Sequence, residues 1–193
     1  MIAARIHRVL LTMAKRASTV GVGVSNHYIL ETLSKYPLVR FRGVFSCDTI
    51  PLEIANQQQF TLICNLDRQT GPGSHYVVIV GLPGRLYYVD PIGLDSFNDD
   101  INKFLASASK ACGDRRIYVL KTPLPQDPSS EFCGLHAMLL VLFFDRDGHG
   151  IVLKGGSHTC LKQNDALCIL YIVKFLRLYK RQKNYRREKR PRN

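Results

Sequence analysis

The sequence has no CxxC pair and no dense cysteine framework: its six cysteines, Cys47, Cys64, Cys112, Cys133, Cys160 and Cys168, are scattered through 193 residues. With no secretory leader recognisable ahead of them, that spacing argues against a disulfide-stapled secreted scaffold, and a reducing compartment is the expected setting. No segment approaches the roughly 20 apolar residues of a membrane-spanning helix. The longest apolar run, Leu135 to Phe144, contains His136 and stops at Asp145, which suits a buried core helix. No internal repeat is visible. The opening MIAARIHRVLLTMAKR has Arg8 inside an apolar stretch too short for a signal peptide. Its spacing of Ile2, Ile6, Val9, Leu10 and Met13 suits an amphipathic helix instead, and Met13 offers a second translation start.

Acidic residues are nearly missing from the C-terminal end. From Lys174 to Asn193 there are ten Lys or Arg and a single acid, Glu188, so these twenty residues carry +9 of the chain's net +12. A run of that density is an electrostatic footprint for a polyanion, because each phosphate neutralised releases a counterion. Nucleic acid is the first partner it implies, through Lys180, Arg181, Lys183, Arg186, Arg187, Lys189 and Arg190; the bland alternative is a solvated tail without a specific ligand. With 46% hydrophobic and 22% charged residues, the rest of the chain can build one core, and its length points to one domain. The expected organisation is an N-terminal extension over 1–18, a folded domain over 19–180 and a basic tail over 181–193.

Along the chain, SNHYILETLSKY reads as a short helix with Ser25 as N-cap, and FRGVFSCDTIP as an irregular lead-in stopped by Pro51. Phe60 to Leu66, His75 to Leu82 and Leu86 to Val89 are short runs rich in Val, Ile, Leu and Tyr, as strands are, with GLPGR as a hairpin turn. FNDDINKFLASASK returns to helical spacing, RIYVLK resembles one more strand, and TPLPQDPSSE is a loop by composition. An apolar helix follows from Phe132 to Phe144, then an amphipathic helix from Asp165 to about Arg181. The expected class is α+β, a mixed, mostly antiparallel sheet packed against the buried helix.

Chemistry concentrates at a few positions. Cys133 lies where the polar loop becomes the buried helix, so its sulfur would sit at a helix N-terminus, where unpaired amides and the helix dipole stabilise a thiolate. Gly134 beside it has no side chain to block an approaching substrate backbone. His75 opens a strand after a Gly-Pro-Gly turn, and Asp90 ends the next strand; a hairpin sets the start of one strand beside the end of the other. A thiol, a base and an acceptor that fixes the base's tautomer form a nucleophilic set. Gln126, seven residues before Cys133, supplies a side-chain amide able to join the Cys133 amide in holding an oxyanion. Taken singly, each has an ordinary structural explanation: a core cysteine, a strand-end histidine, a turn aspartate, a loop glutamine. CGLH and HTC are too sparse to make a zinc site, and no metal or organic cofactor is called for.

The order His, Asp, Gln, Cys, carried by GSHYVVIVG, YYVDPIG and PQDPSSEFCGLHAM, resembles the adenovirus protease family, adenain, with its relatives in Polinton and adintovirus-type elements and more distantly the SUMO-specific proteases. The resemblance runs from Gly73 through the buried helix, and Gln-x-Pro-x-Ser-x-x-Cys-Gly is its most specific piece. It implies a papain-like, adenain-type fold in which His75 is base, Asp90 orienter, Gln126 oxyanion donor and Cys133 nucleophile. Tyr76 stands where the family usually has Trp and would form an aromatic wall of the substrate site. Asp90 replaces the Glu of the adenovirus enzyme, and Arg115 and Arg116, with Cys112 nearby, stand where that enzyme has the cysteine that tethers an activating peptide.

The function so implied is a cysteine endopeptidase that cuts viral capsid or core precursors after glycine, in Leu/Ile/Met-x-Gly-x or -Gly-Gly contexts, during virion maturation. It would act as a monomer in the virion and host nucleus, activated by DNA, a viral peptide or both. Leu153-Lys154-Gly155-Gly156-Ser157 fits the cleavage pattern, which suggests self-cleavage between Gly156 and Ser157; a plain glycine turn is the ordinary explanation. Two rivals stand beside this reading. A SUMO or ubiquitin-like deconjugase shares the residue order but clamps its diglycine tail with Trp, which the chain lacks. A non-enzymatic, DNA-associated packaging protein accounts for the basic tail but not for the ordered polar residues.

Overall fold

In the computed structural model, residues 24–96, 98–120, 122, 125–147 and 161–188 are described. The expected N-terminal helix and the Gly156–Ser157 sequence lie outside them. Four helices, α1 (Asn26–Ser34), α2 (Asp99–Ala111), α3 (Cys133–Asp147) and α4 (Leu161–Glu188), surround five strands, β1 (Phe41–Ser46), β2 (Phe60–Asn65), β3 (Tyr76–Leu82), β4 (Arg85–Val89) and β5 (Arg116–Val119). The strands form one sheet in the order β1-β2-β3-β4-β5. The fold is therefore the α+β arrangement expected, with a mixed sheet. Its antiparallel part is the central β2-β3-β4 meander, while β1 joins β2, and β5 joins β4, in parallel.

Alternation along the strands divides the core into two layers. Ile63, Tyr76, Val78, Val80 and Val89 face α1, α3 and α4, whereas Leu62, Cys64, Val77, Ile79, Leu86 and Tyr88 face α2. Six of the seven β3 residues are buried, as a strand covered on both faces must be. The apolar stretch of α3 is buried all round from Leu135 to Phe144, because the sheet and α1 cover one side and Cys168, Ile172 and Phe175 of α4 the other. It is the core helix the sequence suggests. Among the described residues no helix is long and apolar enough to cross a membrane.

Two expected boundaries change. FRGVFSCDTIP is not merely irregular: its first half is β1, whose pairing with β2 slips between Phe41 and Gly43, where Gly43 has φ +139°. A bulge at a glycine masks the strand pattern in the sequence. The last helix does not end near Arg181 but continues to Glu188. Arg, Lys, Gln and Tyr tolerate helix, and no Gly or Pro interrupts them before Pro191.

Candidate active site

The hairpin places the first two groups. β3 and β4 are joined by Pro83-Gly84, Gly84 taking a φ of +70° that allows a two-residue turn, with Leu82 opposite Arg85 and Val78 opposite Val89. Continuing that register by one pair sets Asp90 across from Val77, hence diagonal to His75 on one side of the ribbon. His75 Nε2 and Asp90 Oδ1 are 2.9 Å apart. Asp90 is itself fixed: Oδ1 accepts the Ile92 amide at 2.7 Å, its carbonyl accepts the Gly93 amide, and it is only 1% exposed.

With Nε2 committed to Asp90, Nδ1 is the ring nitrogen left for a nucleophile, and Cys133 lines the same cleft as the ring. Cys133 is the first residue of α3, and the helix's first backbone bond runs from the His136 amide to the Phe132 carbonyl. The amides of Cys133, Gly134 and Leu135 therefore have no acceptor within the helix. Burial pushes the His75 pKa down, but hydrogen bonding with Asp90 and Cys133 and their charges outweigh it, raising it from 6.5 to about 9. At neutral pH the ring is an imidazolium.

Gln126 is 2% exposed and lines the same cleft of about 700 Å³ as His75, Tyr76 and Cys133. Its backbone amide donates to the Pro91 carbonyl at 2.8 Å, which ties the loop to the turn after Asp90. Its side-chain Nε2 donates to the Ser130 carbonyl at 2.8 Å and, more weakly, to Ser130 Oγ at 3.3 Å, so turning it to an oxyanion means exchanging the longer of these two bonds. Thus His75, Gln126 and Cys133 line one cleft, and Asp90 lies buried behind His75.

The two expected substrate-contacting residues are placed as follows. Tyr76 lines the cleft and is also core, 7% exposed, with its hydroxyl donating to Asn26 Oδ1 of α1 at 2.6 Å. Asn26 is a cleft residue that sequence reasoning missed, a common helix-start type with no pattern of its own, while Ser130, also in the cleft, is the Ser of the Gln-x-Pro-x-Ser-x-x-Cys-Gly pattern. For Gly134 the space a side chain would need is taken from inside the fold: a Cβ would lie 3.1 Å from Ile29 Cδ1, 3.2 Å from Val24 Cβ and 3.4 Å from Tyr76 Cδ2. Its lack of a side chain lets α1 pack against α3, a requirement separate from the substrate access expected of it.

Among the basic residues, Lys180, Arg181, Lys183, Arg186 and Arg187 fall on the final turns of α4, and Lys189 and Arg190 lie outside the described residues. Cys112, beside Arg115 and Arg116, is a free thiol. Arg115 is 1% exposed, donating Nη2 to the Gln57 carbonyl at 2.6 Å with its charge 5.9 Å from the Phe60 ring centre. It is a core residue of the α2 side of the sheet, not part of the cleft.

No protein-family model matches the sequence, and no curated protein matches it. Among solved structures, a deletion variant of AvrA with IP6 and CoA aligns with a TM-score of 0.47 at 13% identity, covering 87% of this chain and 67% of that one. The SUMO protease Ulp1, with its catalytic cysteine oxidised to a sulfonic acid, aligns with a TM-score of 0.46 at 14% identity, covering 80% of this chain and 79% of that one. Likeness of this degree leaves function to be argued from the side chains of the cleft.

Proposed function

We propose that the chain is a cysteine endopeptidase. The observation that carries this is the imidazole of His75, bonded through Nε2 to buried Asp90 and lining one cleft with Cys133. His75 takes the thiol proton as Cys133 becomes the nucleophile. The sulfur adds to a peptide carbonyl, and the oxyanion is held by the Cys133 amide and by the Gln126 side-chain amide, which gives up its longer bond to Ser130 Oγ for it. His75 gives its proton to the leaving amine as the C–N bond breaks, leaving a thioester. Neutral His75 then takes a proton from water, which adds to the thioester and releases the acid. Asp90 keeps the ring in the required tautomer throughout.

The substrate side rests on the resemblance to adenain: viral structural precursors cut after glycine, with Leu, Ile or Met in the (Leu/Ile/Met)-x-Gly-x context, in the virion and host nucleus. An α4 that carries basic residues to its end supports DNA as a partner, and the same cleavage pattern at Gly156–Ser157 supports self-processing. A peptide activator is supported by β5, an edge strand among the described residues whose Ile117, Tyr118 and Val119 are exposed. Such an edge accepts an extended peptide as a further strand.

The test is hydrolysis of a Leu-x-Gly-Gly-x peptide by the full chain, with and without DNA, against Cys133→Ala. Release of a product ending in glycine by the wild type only is expected. Equal turnover by Cys133→Ala would remove the proposal, and cleavage confined to isopeptide-linked ubiquitin-like conjugates would favour a deconjugase.

A further inference from the structure

Asn164 and Asp165 are consecutive residues near the start of α4, far from His75 and Asp90 in sequence, and both are buried. Asn164 is fully buried and donates Nδ2 to the Pro125 carbonyl at 2.8 Å. Asp165 Oδ1 lies 2.9 Å from His136 Nε2, a pair shut away from solvent between α3 and α4. His136 is one helical turn beyond Cys133, and Pro125 is the residue before Gln126. Two adjacent positions of one helix thus hold both ends of the segment that carries the oxyanion donor and the nucleophile. Neighbours in a helix point about 100° apart, so one can face α3 while the other faces the loop.

Packing alone does not call for these groups. Burying an amide and a carboxylate costs free energy that apolar residues would avoid, and it is tolerated where their hydrogen bonds are made and fix one geometry. The loop they fix has no helix or strand of its own between Pro125 and Phe132, only a turn closed by the Ser130 amide on the Asp127 carbonyl. We propose that Asn164 is a positioning residue for Gln126: it anchors the oxyanion loop to α4, while the Asp165–His136 pair locks α4 to the nucleophile's helix so that the anchor has a rigid base. The Pro125 tether and the Gln126-to-Pro91 bond then hold the loop from opposite sides, from α4 and from the turn after Asp90.

This rests on the protease reading, and the test separates the two. In the full chain, Asn164→Ala is measured for peptide hydrolysis, for alkylation of Cys133 by iodoacetamide, and for hydrogen exchange at the Gln126 amide. Alkylation displaces iodide and forms no oxyanion, so it ignores Gln126. The expected result is a fall in kcat of about tenfold to a hundredfold with KM little changed, alkylation within about twofold of wild type, and exchange at Gln126 at least about tenfold faster. Should Asn164→Ala fail to fold, Asn164→Asp, which keeps the shape and loses the donor, gives the same comparison. Unchanged kcat, or a parallel loss of hydrolysis and alkylation, overturns the assignment. A wild-type chain that cleaves nothing sinks the protease reading instead, and the anchor is then decided by exchange: faster at Gln126 in the variant upholds it, unchanged refutes it.

Discussion

Asp90→Asn changes one charge and almost no volume, and the carboxamide can still accept a hydrogen bond from His75. What it removes is the buried negative charge 2.9 Å from the imidazole. In the wild type, burial lowers the His75 pKa, and the bonds and charges of Asp90 and Cys133 more than offset it, bringing it from 6.5 to about 9. The imidazolium is thereby favoured in the folded protein by about 3 kcal/mol. Because the folded pKa is raised, that stability is fully present below about pH 6.5 and is withdrawn as the pH climbs through about 9. Wild-type unfolding free energy measured in urea should therefore fall by about 3 kcal/mol across that window from this group. With Asn at position 90 burial is opposed less, so the slope should shrink and the ring should titrate well below 9. Hydrolysis should drop by about a hundredfold, the scale of a mispositioned general acid and base. NMR titration of the His75 ring in both proteins is the direct assay. Titration near 9 in the variant, or near 6.5 in the wild type, would refute this reasoning.

Gln126→Ala should reduce kcat by about 10²- to 10³-fold while leaving iodoacetamide alkylation of Cys133 unchanged, as expected for an oxyanion donor; stopped-time assays of both reactions check it. Gly134→Ala forces a methyl to within 3.1 Å of Ile29 and 3.2 Å of Val24, and should destabilise the fold by about 1–3 kcal/mol, read as a lowered urea midpoint. Tyr76→Phe leaves Asn26 without its buried donor and should cost about 1–2 kcal/mol, while the ring still walls the cleft. For DNA, removal of 180–193 should flatten the dependence of log K on log salt by several units, since each phosphate contact contributes about 0.9; an unchanged slope would place any DNA contact elsewhere.

The parts of the site that were legible in the sequence are those governed by local rules. Ser25 caps α1 as its position suggested, its Oγ accepting the Tyr28 amide at 3.2 Å. The His75–Asp90 pairing follows from a two-residue turn, which fixes register, and from strand alternation, which fixes side. Cys133 at the start of α3 follows from the change from polar loop to apolar run. What could not be read depends on distant partners. β1 pairs in parallel with a strand beyond a 3-10 turn, and its bulge at Gly43 breaks the alternation that would reveal it. The packing demand on Gly134 comes from α1, a hundred or so residues earlier. His136 shows in CGLH as a residue on the helix, but nothing near it announces Asp165 as its partner or Asn164 as the holder of Pro125.

The central claim is that one cysteine is activated by one histidine at this cleft. A peptide ending in glycine aldehyde or vinyl sulfone, with Leu three residues before that glycine, should label the full chain at Cys133 and at no other cysteine, and peptide mapping by mass spectrometry reads the site. Labelling is expected to vanish in Cys133→Ala and to slow by at least about tenfold in His75→Ala. Labelling of Cys47, Cys112 or Cys168 at a rate equal to Cys133, or a His75→Ala protein that reacts as fast as the wild type, would contradict it.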